Sequence, residues 1–205
     1  MSGLVVLKLG GRLAAEAVRD ALAQAGGRAV VVHGAGPQIS AETARRGIEP
    51  RFVHGRRVTT PEVLEVVRES MDAVNAEVCA AIGPAALALR GDEIGLRARR
   101  VPSLGLVGEP EPCAPVSILD ALAAGRVPVV APLAVGLGAE RILFVSDVPG
   151  VLVEGAVANV LPADEAQAAL DAGEFEGGIV PKLVAAVRAA RGGVHASIGA
   201  TEVPA

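Results

Sequence analysis

The sequence VVLKLGG occupies residues 5–11 and combines an apolar β-strand with a lysine and a pair of glycines at its end. A charged side chain inside an apolar strand costs free energy unless a partner or a function requires it. Gly10 and Gly11 expose backbone N–H groups just before a predicted helix, where an anion is favoured. Lys8 can therefore offset negative charge on a transferring phosphoryl group. The alternative is a lysine that extends to solvent before an ordinary turn.

Alternation of strands and helices continues along the chain. Short β-branched runs separate longer helical patterns, which favours a three-layer αβα sandwich with a mainly parallel central sheet. Strands are predicted at residues 4–9, 29–33, 86–89, 127–131 and 141–146, and helices at residues 14–25, 38–46, 61–82, 116–124, 163–172 and 181–190. The pattern breaks over residues 51–58 and 96–110, where we expect hairpins outside the main sheet. We expect one domain, residues 1–205.

Composition limits the class of function. The 205 residues are 51% hydrophobic, include three Phe and neither Trp nor Tyr, and carry a formal net charge of -4. Without a basic stripe or an aromatic platform, nucleic-acid binding is disfavoured. No apolar run approaches the roughly 20 residues that span a bilayer, so no membrane association is expected. Cys79 and Cys113 show no metal or disulfide spacing, which favours reduced thiols in a cytoplasmic protein without a metal site of its own.

Two further glycine-containing stretches carry polar residues that chemistry could use. Residues 30–38 are VVVHGAGPQ, which matches neither the P-loop nor the dinucleotide-binding pattern. Its His33 is either a proton-transfer residue or, as we favour, a histidine held in place by hydrogen bonds. Residues 177–182 are GGIVPK and open a predicted helix. Lys182 would lie in the first turn, where the helix dipole disfavours a cation, so it is either functional or a solvated surface lysine.

A fourth stretch, FVSDVPG at residues 144–150, ends an apolar strand with a Ser-Asp pair and a Pro-Gly turn. It could hold a ribose or phosphates, and an ordinary exit from a strand fits equally well. Taken together and in this order, the four stretches resemble the amino acid kinase family over most of the chain. The resemblance is strongest to the branch that phosphorylates N-acetyl-L-glutamate. That branch shares the HGAGP loop at residues 33–37, the FVHGRRVT segment at residues 52–59 and the GGIVPK run.

The resemblance implies a reaction in which ATP, as its Mg²⁺ complex, phosphorylates the γ-carboxylate of N-acetyl-L-glutamate for arginine biosynthesis. It implies that Lys8 and Lys182 are catalytic and stabilise the charge of an in-line transition state. It implies that the backbone of Ala35 and Gly36 and the guanidinium of Arg57 contact the acid substrate in the N-terminal part. The C-terminal part would bind ATP. Nucleotide contacts are implied for Gly10, Gly11, Ser146, Asp147, Val148, Gly150, Val151, Leu152, Glu176, Gly177 and Gly178.

The chain departs from the family pattern at two places. After the strand at residues 127–131, the family carries an Asn-x-Asn-Ala-Asp motif and a helix, whereas PLAVGLGAE follows here. This segment resembles the end of the family's helix, so about a dozen residues are expected to be missing near Ala134 and Val135. The roughly nine residues that remain between the two strands are also fewer than the dozen or so that a parallel crossover normally needs. A loop is expected to be missing between Gly199 and Ala200. Ala35 stands where the family usually has glycine, which a negative φ would allow.

Two alternatives remain open. The resemblance also fits other members of the same fold that act on carbamate, UMP or a carrier-bound aminoadipate. A shortened, non-catalytic regulatory paralogue would explain the missing Asn and Asp. No helical extension precedes Leu4, so the resemblance implies an arginine-insensitive homodimer.

Overall fold

A computed structural model of the chain describes residues 3–10, 15–26, 28–53, 55–111, 115–131, 141–145 (backbone only) and 149–205. The helices are α1 Ala15–Ala25, α2 Gly36–Arg45, α3 Pro61–Ile82, α4 Val116–Ala123, α5 Ala163–Asp171 and α6 Ile179–Arg191. The strands are β1 Val5–Leu9, β2 Ala29–His33, β3 Phe52–Val53, β4 Arg56–Arg57, β5 Ala86–Arg90, β6 Arg97–Arg100, β7 Gly108–Glu111, β8 Val127–Ala131, β9 Arg141–Val145, β10 Leu152–Val153, β11 Ala156–Val157, β12 His195–Ile198 and β13 Thr201–Val203. No helix in this part of the chain is long and apolar enough to cross a bilayer.

Seven strands form the main sheet in the order β13-β12-β9-β1-β2-β8-β5. The pairs within it are parallel except that between β12 and β13. The predicted fold class and its mainly parallel sheet are therefore confirmed. The hairpins β3–β4 and β6–β7 lie outside this sheet, as predicted.

Helices cover both faces of the sheet and enclose an aliphatic core. On the first face, Val5, Leu7 and Leu9 pack against α1, α2 and α3. On the second face, Val6 and Val32 pack against α4. Through β9, which lies between them, Ala196 and Ile198 of β12 are in register with Val6 and Lys8 of β1. Ala196 and Ile198 pack on α6, so this helix covers the second face as well. The result is the three-layer arrangement that the alternation of elements predicts.

The long helix α3 begins and ends where the sequence predicts. Thr60 is its N-cap and accepts a hydrogen bond from the backbone nitrogen of Val63 at 3.2 Å, with Pro61 in the first turn. At the carboxyl end of α6, the expected stop Gly192 has φ -85°, and the next residue, Gly193, takes the left-handed conformation with φ 78°. Glycine tolerates that conformation because it has no Cβ.

One of the two predicted gaps lies outside the described residues and the other within them, and both remain predictions. The first, between Ala134 and Val135, lies outside the described residues. Strands β8 and β9, which residues 132–140 connect, are not neighbours, because β2 and β1 lie between them. At the second, Gly199 and Ala200 form a tight turn between β12 and β13, with Ile198 paired to Thr201.

Candidate active site

Lys8 lies near the carboxyl end of the central strand β1 and points to the second face of the sheet. Its register neighbour on β2 is Val32, and through β9 it aligns with Ile198. Its Nζ donates a hydrogen bond to the backbone oxygen of Leu9 at 2.8 Å. A Cβ added at Gly34 would lie 3.7 Å from that Nζ, so the ammonium group lies against the glycine loop after β2. The lysine at the end of β1 is therefore half-buried inside the fold.

Lys182 lies on α6, which covers the same face as the Lys8 side chain. The pKa of Lys8 is lowered to about 8, first by burial and then by the positive charge of Lys182. Helix α6 begins at Ile179, two residues before the predicted start at Pro181, so Lys182 is its fourth residue. The structure therefore brings the two predicted catalytic lysines into one electrostatic environment at the carboxyl edge of the sheet.

His33, at the end of β2, is fully buried beside this lysine pair. Its pKa is lowered to about 4 by burial and by the Lys8 charge, while an interaction with the Gly34 backbone acts in the opposite direction. By strict geometry neither ring nitrogen has a hydrogen-bond partner within the described part of the chain, whereas the pKa of the imidazole responds to a hydrogen bond with the Gly34 backbone. The expectation that hydrogen bonds hold this histidine therefore stays a prediction. Burial at the end of the sheet keeps the imidazole neutral.

The loop after β2 turns into α2 and presents the start of that helix to the site. Ala35 is 1% exposed and has φ -133° and ψ 29°, so the alanine is accommodated without left-handed strain, as predicted. Gly36 is the first residue of α2, and nothing described lies within 4 Å of a Cβ built on it. Open space therefore adjoins the N-terminus of α2, where backbone N–H groups favour an anion.

Arg57 extends from the β3–β4 hairpin to α2. Its Nη2 donates to the Oγ of Ser40 at 2.8 Å, and its Cζ lies 4.7 Å from the centroid of the Phe52 ring. Its Nη1 is buried and has no hydrogen-bond partner among the described residues, and burial lowers the pKa of the guanidinium below its usual value. A buried, unsatisfied guanidinium nitrogen is costly, and a carboxylate ligand would satisfy it.

The predicted nucleotide residues divide between described and undescribed parts of the chain. Gly11, Ser146, Asp147 and Val148 lie outside the described residues. Gly10 is half-buried at the end of β1, Gly150 and Val151 are buried, and Leu152 is 56% exposed on β10. Glu176 and Gly177 are exposed, with Gly177 in the left-handed conformation at φ 67°, and Gly178 is the N-cap of α6.

An apolar cluster joins the described nucleotide residues to the catalytic part. Val151 packs in one cluster with Leu183 of α6, and Phe175 and Ile179 pack against that cluster. The residue just before the β10–β11 hairpin therefore packs against the first turns of α6. Lys182 directly precedes Leu183 in that helix. This arrangement brings the segment around residue 150 and the GGIVPK run together, although they are distant in sequence.

Three residues that the sequence analysis does not predict hold the candidate site residues in position. Ser40 and Phe52 hold Arg57, and the buried Thr201 binds the segment around residue 150. Of these, Phe52 could have been found, because a short hairpin around Gly55 pairs it with Arg57 across the strands. Ser40 and Thr201 act through contacts that no local sequence pattern indicates.

A cavity of about 240 Å³ opens at the end of β1 on the first face of the sheet. It is lined by Leu9, Gly10, Ala15, Val18, Gln38, Val74, Glu77, Val78 and Ala81. Leu9 points to this face whereas Lys8 points to the other. Gly10 at the end of β1 therefore borders a cavity on the face opposite to the Lys8 side chain.

The chain was compared with known proteins. The model of the amino acid kinase family matches residues 3–136 and 131–199. An acetylglutamate kinase of Clavibacter michiganensis is 38% identical over 212 residues, which covers 84% of this chain and 69% of that protein. An acetylglutamate kinase of Saccharopolyspora erythraea is 37% identical over 235 residues, covering 93% of this chain and 77% of that protein.

Solved structures agree on the fold. A protein from Streptococcus mutans UA159 superposes with a TM-score of 0.85 at 20% identity, covering 100% of this chain and 99% of that chain. Carbamate kinase from Giardia lamblia superposes with a TM-score of 0.64 at 15% identity, covering 97% of this chain and 93% of that chain. At these identities the superpositions support the three-layer fold alone.

The matches also bear on the missing segments. The two pieces matched by the family model overlap at residues 131–136, beside the first predicted gap. In the Clavibacter comparison, 84% of 205 residues is about 172, so about 40 of the 212 aligned positions have no counterpart here. Even with these positions lacking, the family model accounts for nearly all of the chain, and this chain belongs to the amino acid kinase family.

Proposed function

We propose that this chain transfers the γ-phosphoryl group of ATP to the γ-carboxylate of N-acetyl-L-glutamate, a step of arginine biosynthesis. The observation that carries the proposal is the environment of two half-buried cations, Lys8 and Arg57. Among the described residues, the hydrogen bond of the Lys8 ammonium group goes to a backbone oxygen, and one nitrogen of Arg57 has no partner. Such cations at the carboxyl edge of a parallel sheet are suited to two anionic substrates.

The acceptor determines which kind of catalysis the protein must supply. The γ-carboxylate of the substrate is ionised at neutral pH, so one of its oxygens can attack the γ-phosphorus without losing a proton. The bond from that phosphorus to the β,γ-bridging oxygen breaks, ADP leaves and an acyl phosphate forms. No general base is needed, and the neutral, buried His33 is consistent with such a site. Catalysis then rests on positioning and on charge stabilisation.

We assign the charge stabilisation to Lys8 and Lys182. Negative charge builds on the equatorial and leaving oxygens as the phosphoryl group moves, and a fixed ammonium group lowers the energy of that state. Burial and mutual repulsion lower the pKa of Lys8 in the ligand-free protein. Phosphate oxygens between the two ammonium groups would relieve the repulsion and raise this pKa again. The charged state of Lys8 is therefore most favourable when the reacting phosphate is bound.

We assign acid binding to Arg57 with the start of α2. Ser40 occupies Nη2, which leaves Nη1 for one oxygen of a substrate carboxylate. The backbone of Ala35 and Gly36 would complete the contact beside the open space at the helix N-terminus. This part of the chain precedes residue 131, whereas the proposed ATP-binding residues other than Gly10 and Gly11 follow residue 145. We propose that both parts form a single domain over residues 1–205.

We propose that ATP enters as its Mg²⁺ complex. Residues around Gly150 and at the start of α6 would hold the nucleotide. Gly10, Gly11, Ser146, Asp147, Val148, Val151, Leu152, Glu176, Gly177 and Gly178 remain the proposed contacts. Mg²⁺ bound with ATP would add to the positive charge that the lysines supply.

We also propose a cytoplasmic homodimer. In the main sheet, β5 is an edge strand, and α4, which packs on the neighbouring strand β8, exposes Val116 and Leu119 at 66% and 43%. An unpaired edge and exposed apolar side chains are suited to association with a second copy. Light scattering of the purified protein should give twice the mass of one chain, and a monomer would contradict this assignment.

A hydroxamate assay tests the proposed reaction. Hydroxylamine traps an acyl phosphate, so ATP, Mg²⁺ and N-acetylglutamate should together yield a coloured hydroxamate that is absent when any one is omitted. Carbamate, UMP and a carrier-bound aminoadipate serve as competing acceptors in a parallel ADP-release assay. ADP release only with one of these would replace the proposed acceptor and leave the kinase assignment intact.

The second candidate is a shortened, non-catalytic regulatory paralogue. The observation that favours it is the set of about 40 aligned positions in the Clavibacter relative that have no counterpart here. Such a protein would bind N-acetylglutamate or ATP in calorimetry without releasing ADP. Binding of both ligands without turnover would decide for this alternative.

A further inference from the structure

The hairpin that carries Arg57 is too short to define its own position. Strands β3 and β4 have two residues each and lie outside the main sheet. A two-stranded hairpin is at best marginally stable in water without further packing. Arg57 can present one buried nitrogen to a ligand only if another part of the chain holds this hairpin.

A second hairpin provides that support. We call residues 97–111 the flap; it consists of β6, a 3₁₀ turn at Pro102–Leu104 and β7. Directly after Arg57 and Val58, the backbone nitrogen of Thr59 donates to the oxygen of Leu104 at 2.9 Å, and the nitrogen of Leu106 donates to the oxygen of Thr59 at 2.8 Å. These two hydrogen bonds fix the base of the Arg57 hairpin on the flap.

The close approach of the flap to the backbone of Thr59 requires a glycine at position 105. Gly105 has φ 76°, and a Cβ built on it would lie 2.4 Å from the backbone oxygen of Thr59. Any other residue would both strain the turn and separate the two segments. The backbones of the flap and of the segment that follows Arg57 are therefore in direct contact at Gly105 and Thr59.

One ion pair joins the outer parts of the two hairpins. The Nη1 of Arg56 lies 2.7 Å from Oε2 of Glu109, and its Nη2 donates to the backbone oxygen of Gly108 at 3.2 Å. The two side chains are 40% and 33% exposed, so solvent screens the pair only in part. Arg56 thus has two partners on the flap, whereas its neighbour Arg57 retains a nitrogen without one among the described residues.

We infer that Glu109 is a positioning residue for the acid substrate: through Arg56 it fixes the hairpin on which Arg57 meets the substrate carboxylate. The inference rests on the proposed function, since it needs Arg57 to bind that carboxylate. Glu109 also neutralises the one other arginine of the hairpin. An incoming carboxylate is thereby directed to Arg57 and away from Arg56. Glu109 itself does not touch the substrate.

Glu109→Gln tests the inference, with Glu111→Gln as the matched control. Both changes remove one negative charge from β7, and no hydrogen bond or ion pair of Glu111 is recorded in the described part of the structure. We expect Glu109→Gln to raise KM for N-acetylglutamate about fivefold, in line with the loss of a partly exposed ion pair. We expect kcat and KM for ATP to change less than twofold, and Glu111→Gln to match the unchanged protein. The double variant R56E/E109R should recover at least half of the lost affinity.

A second measurement does not depend on turnover. Hydrogen exchange at Val58, whose amide bonds to the oxygen of Arg51, should become faster in Glu109→Gln and remain unchanged in Glu111→Gln. Unchanged exchange, or an equal rise in KM for both substrates, would overturn the inference. If the protein without substitutions had no kinase activity, the proposed function would be contradicted instead. The exchange result would still decide whether Glu109 holds the hairpin.

Discussion

The hydroxyl of Thr201 accepts a hydrogen bond from the backbone nitrogen of Val151 at 2.8 Å, and it donates one to the oxygen of Ala158 at 2.6 Å. The C-terminal strand thereby binds both ends of the β10–β11 hairpin, at a position where Thr201 is fully buried. A Cβ built on Gly150 would lie 2.6 Å from this hydroxyl, so the segments pack without space between them. The path of the proposed nucleotide segment therefore depends on one hydroxyl group about 50 residues further along the chain.

Thr201→Val should lower the free energy of unfolding by about 1–3 kcal/mol, because it leaves the buried N–H of Val151 and the part-buried carbonyl of Ala158 without this partner. It should also raise KM for ATP more than KM for N-acetylglutamate, since the hairpin belongs to the nucleotide part. Urea denaturation and steady-state kinetics measure the two effects. Thr201→Ser keeps the hydroxyl and should retain ATP affinity. Equal KM values for ATP in Thr201→Val and the unchanged protein would limit Thr201 to a structural role.

Lys8→Ala and Lys182→Ala should each reduce kcat by about 10²- to 10³-fold, as for other preorganised electrostatic contacts. ATP affinity should change much less, because the contacts strengthen mainly in the transition state. Lys→Arg should rescue poorly at either position, since a forked guanidinium is not a compact ammonium. Single-turnover kinetics at saturating substrate isolate the chemical step. A near-normal rate in either alanine variant would return that lysine to a solvated, non-catalytic role.

Arg57→Ala should raise KM for the acid substrate by about 30- to 150-fold, the loss expected for a charged hydrogen-bonded contact of about 2–3 kcal/mol. KM for ATP should change little. Ser40→Ala removes only the bond that orients Nη2, so its effect on the same constant should be smaller. If Arg57→Ala affected both substrates equally, the arginine would not be the acid-binding residue.

The pKa of Lys8 near 8 predicts a pH dependence of kcat/KM for ATP. The ligand-free protein holds Lys8 charged below pH 8 and neutral above it, and the charged form is the one that stabilises the transition state. The value of kcat/KM for ATP should therefore fall as pH rises through about 8, because this ratio reports groups of the free enzyme. His33, with a pKa of about 4, stays neutral from pH 6 upward and should add no step. A profile that is flat between pH 7 and 9.5 would contradict this prediction.

Stability should change with pH in the opposite sense. The folded-state pKa of Lys8 lies below the usual value, so the folded protein binds fewer protons than the unfolded chain between about pH 8 and 10.4. The cost of the buried charge is present in full below pH 8 and is relieved as pH rises across that window. Lys8→Met removes the cost, so its melting temperature should exceed that of the unchanged protein at pH 7, and the difference should narrow toward pH 10.

The local elements were predictable because each has its own sequence pattern. Strands β2 and β8 and helix α3 have the predicted bounds, since β-branched runs and the Thr60-Pro61 start define them without tertiary help. The sequence predicts the start of α6 two residues late, because a proline is typical of the first helical position and the prediction therefore begins at Pro181. It lies third in the helix, where its missing N–H is still no loss.

The support of the site was not predictable in the same way. The bonds from Arg57 to Ser40 and from Thr201 to Val151 join residues 17 and 50 positions apart, and Glu109 lies 53 positions from Arg56. No periodicity or spacing encodes such pairs. The sequence does not decide how His33 is held for a related reason: it shows the neighbours of the histidine along the strand but not the partners of its ring nitrogens across the sheet.

The central position of β1 has a consequence for the order of folding. Val5 pairs with Ala29 on one side and with Arg141 on the other, so one edge of this strand can close early and the other only after most of the chain has been synthesised. Until then the nascent chain exposes an unpaired, apolar strand edge, which is a template for misassociation. Contacts so distant in sequence slow closure of the sheet. Pairing of the strand that carries Lys8 is thus completed late. Until β9 has been synthesised, β1, which is central in the finished sheet, remains an edge strand of the N-terminal part.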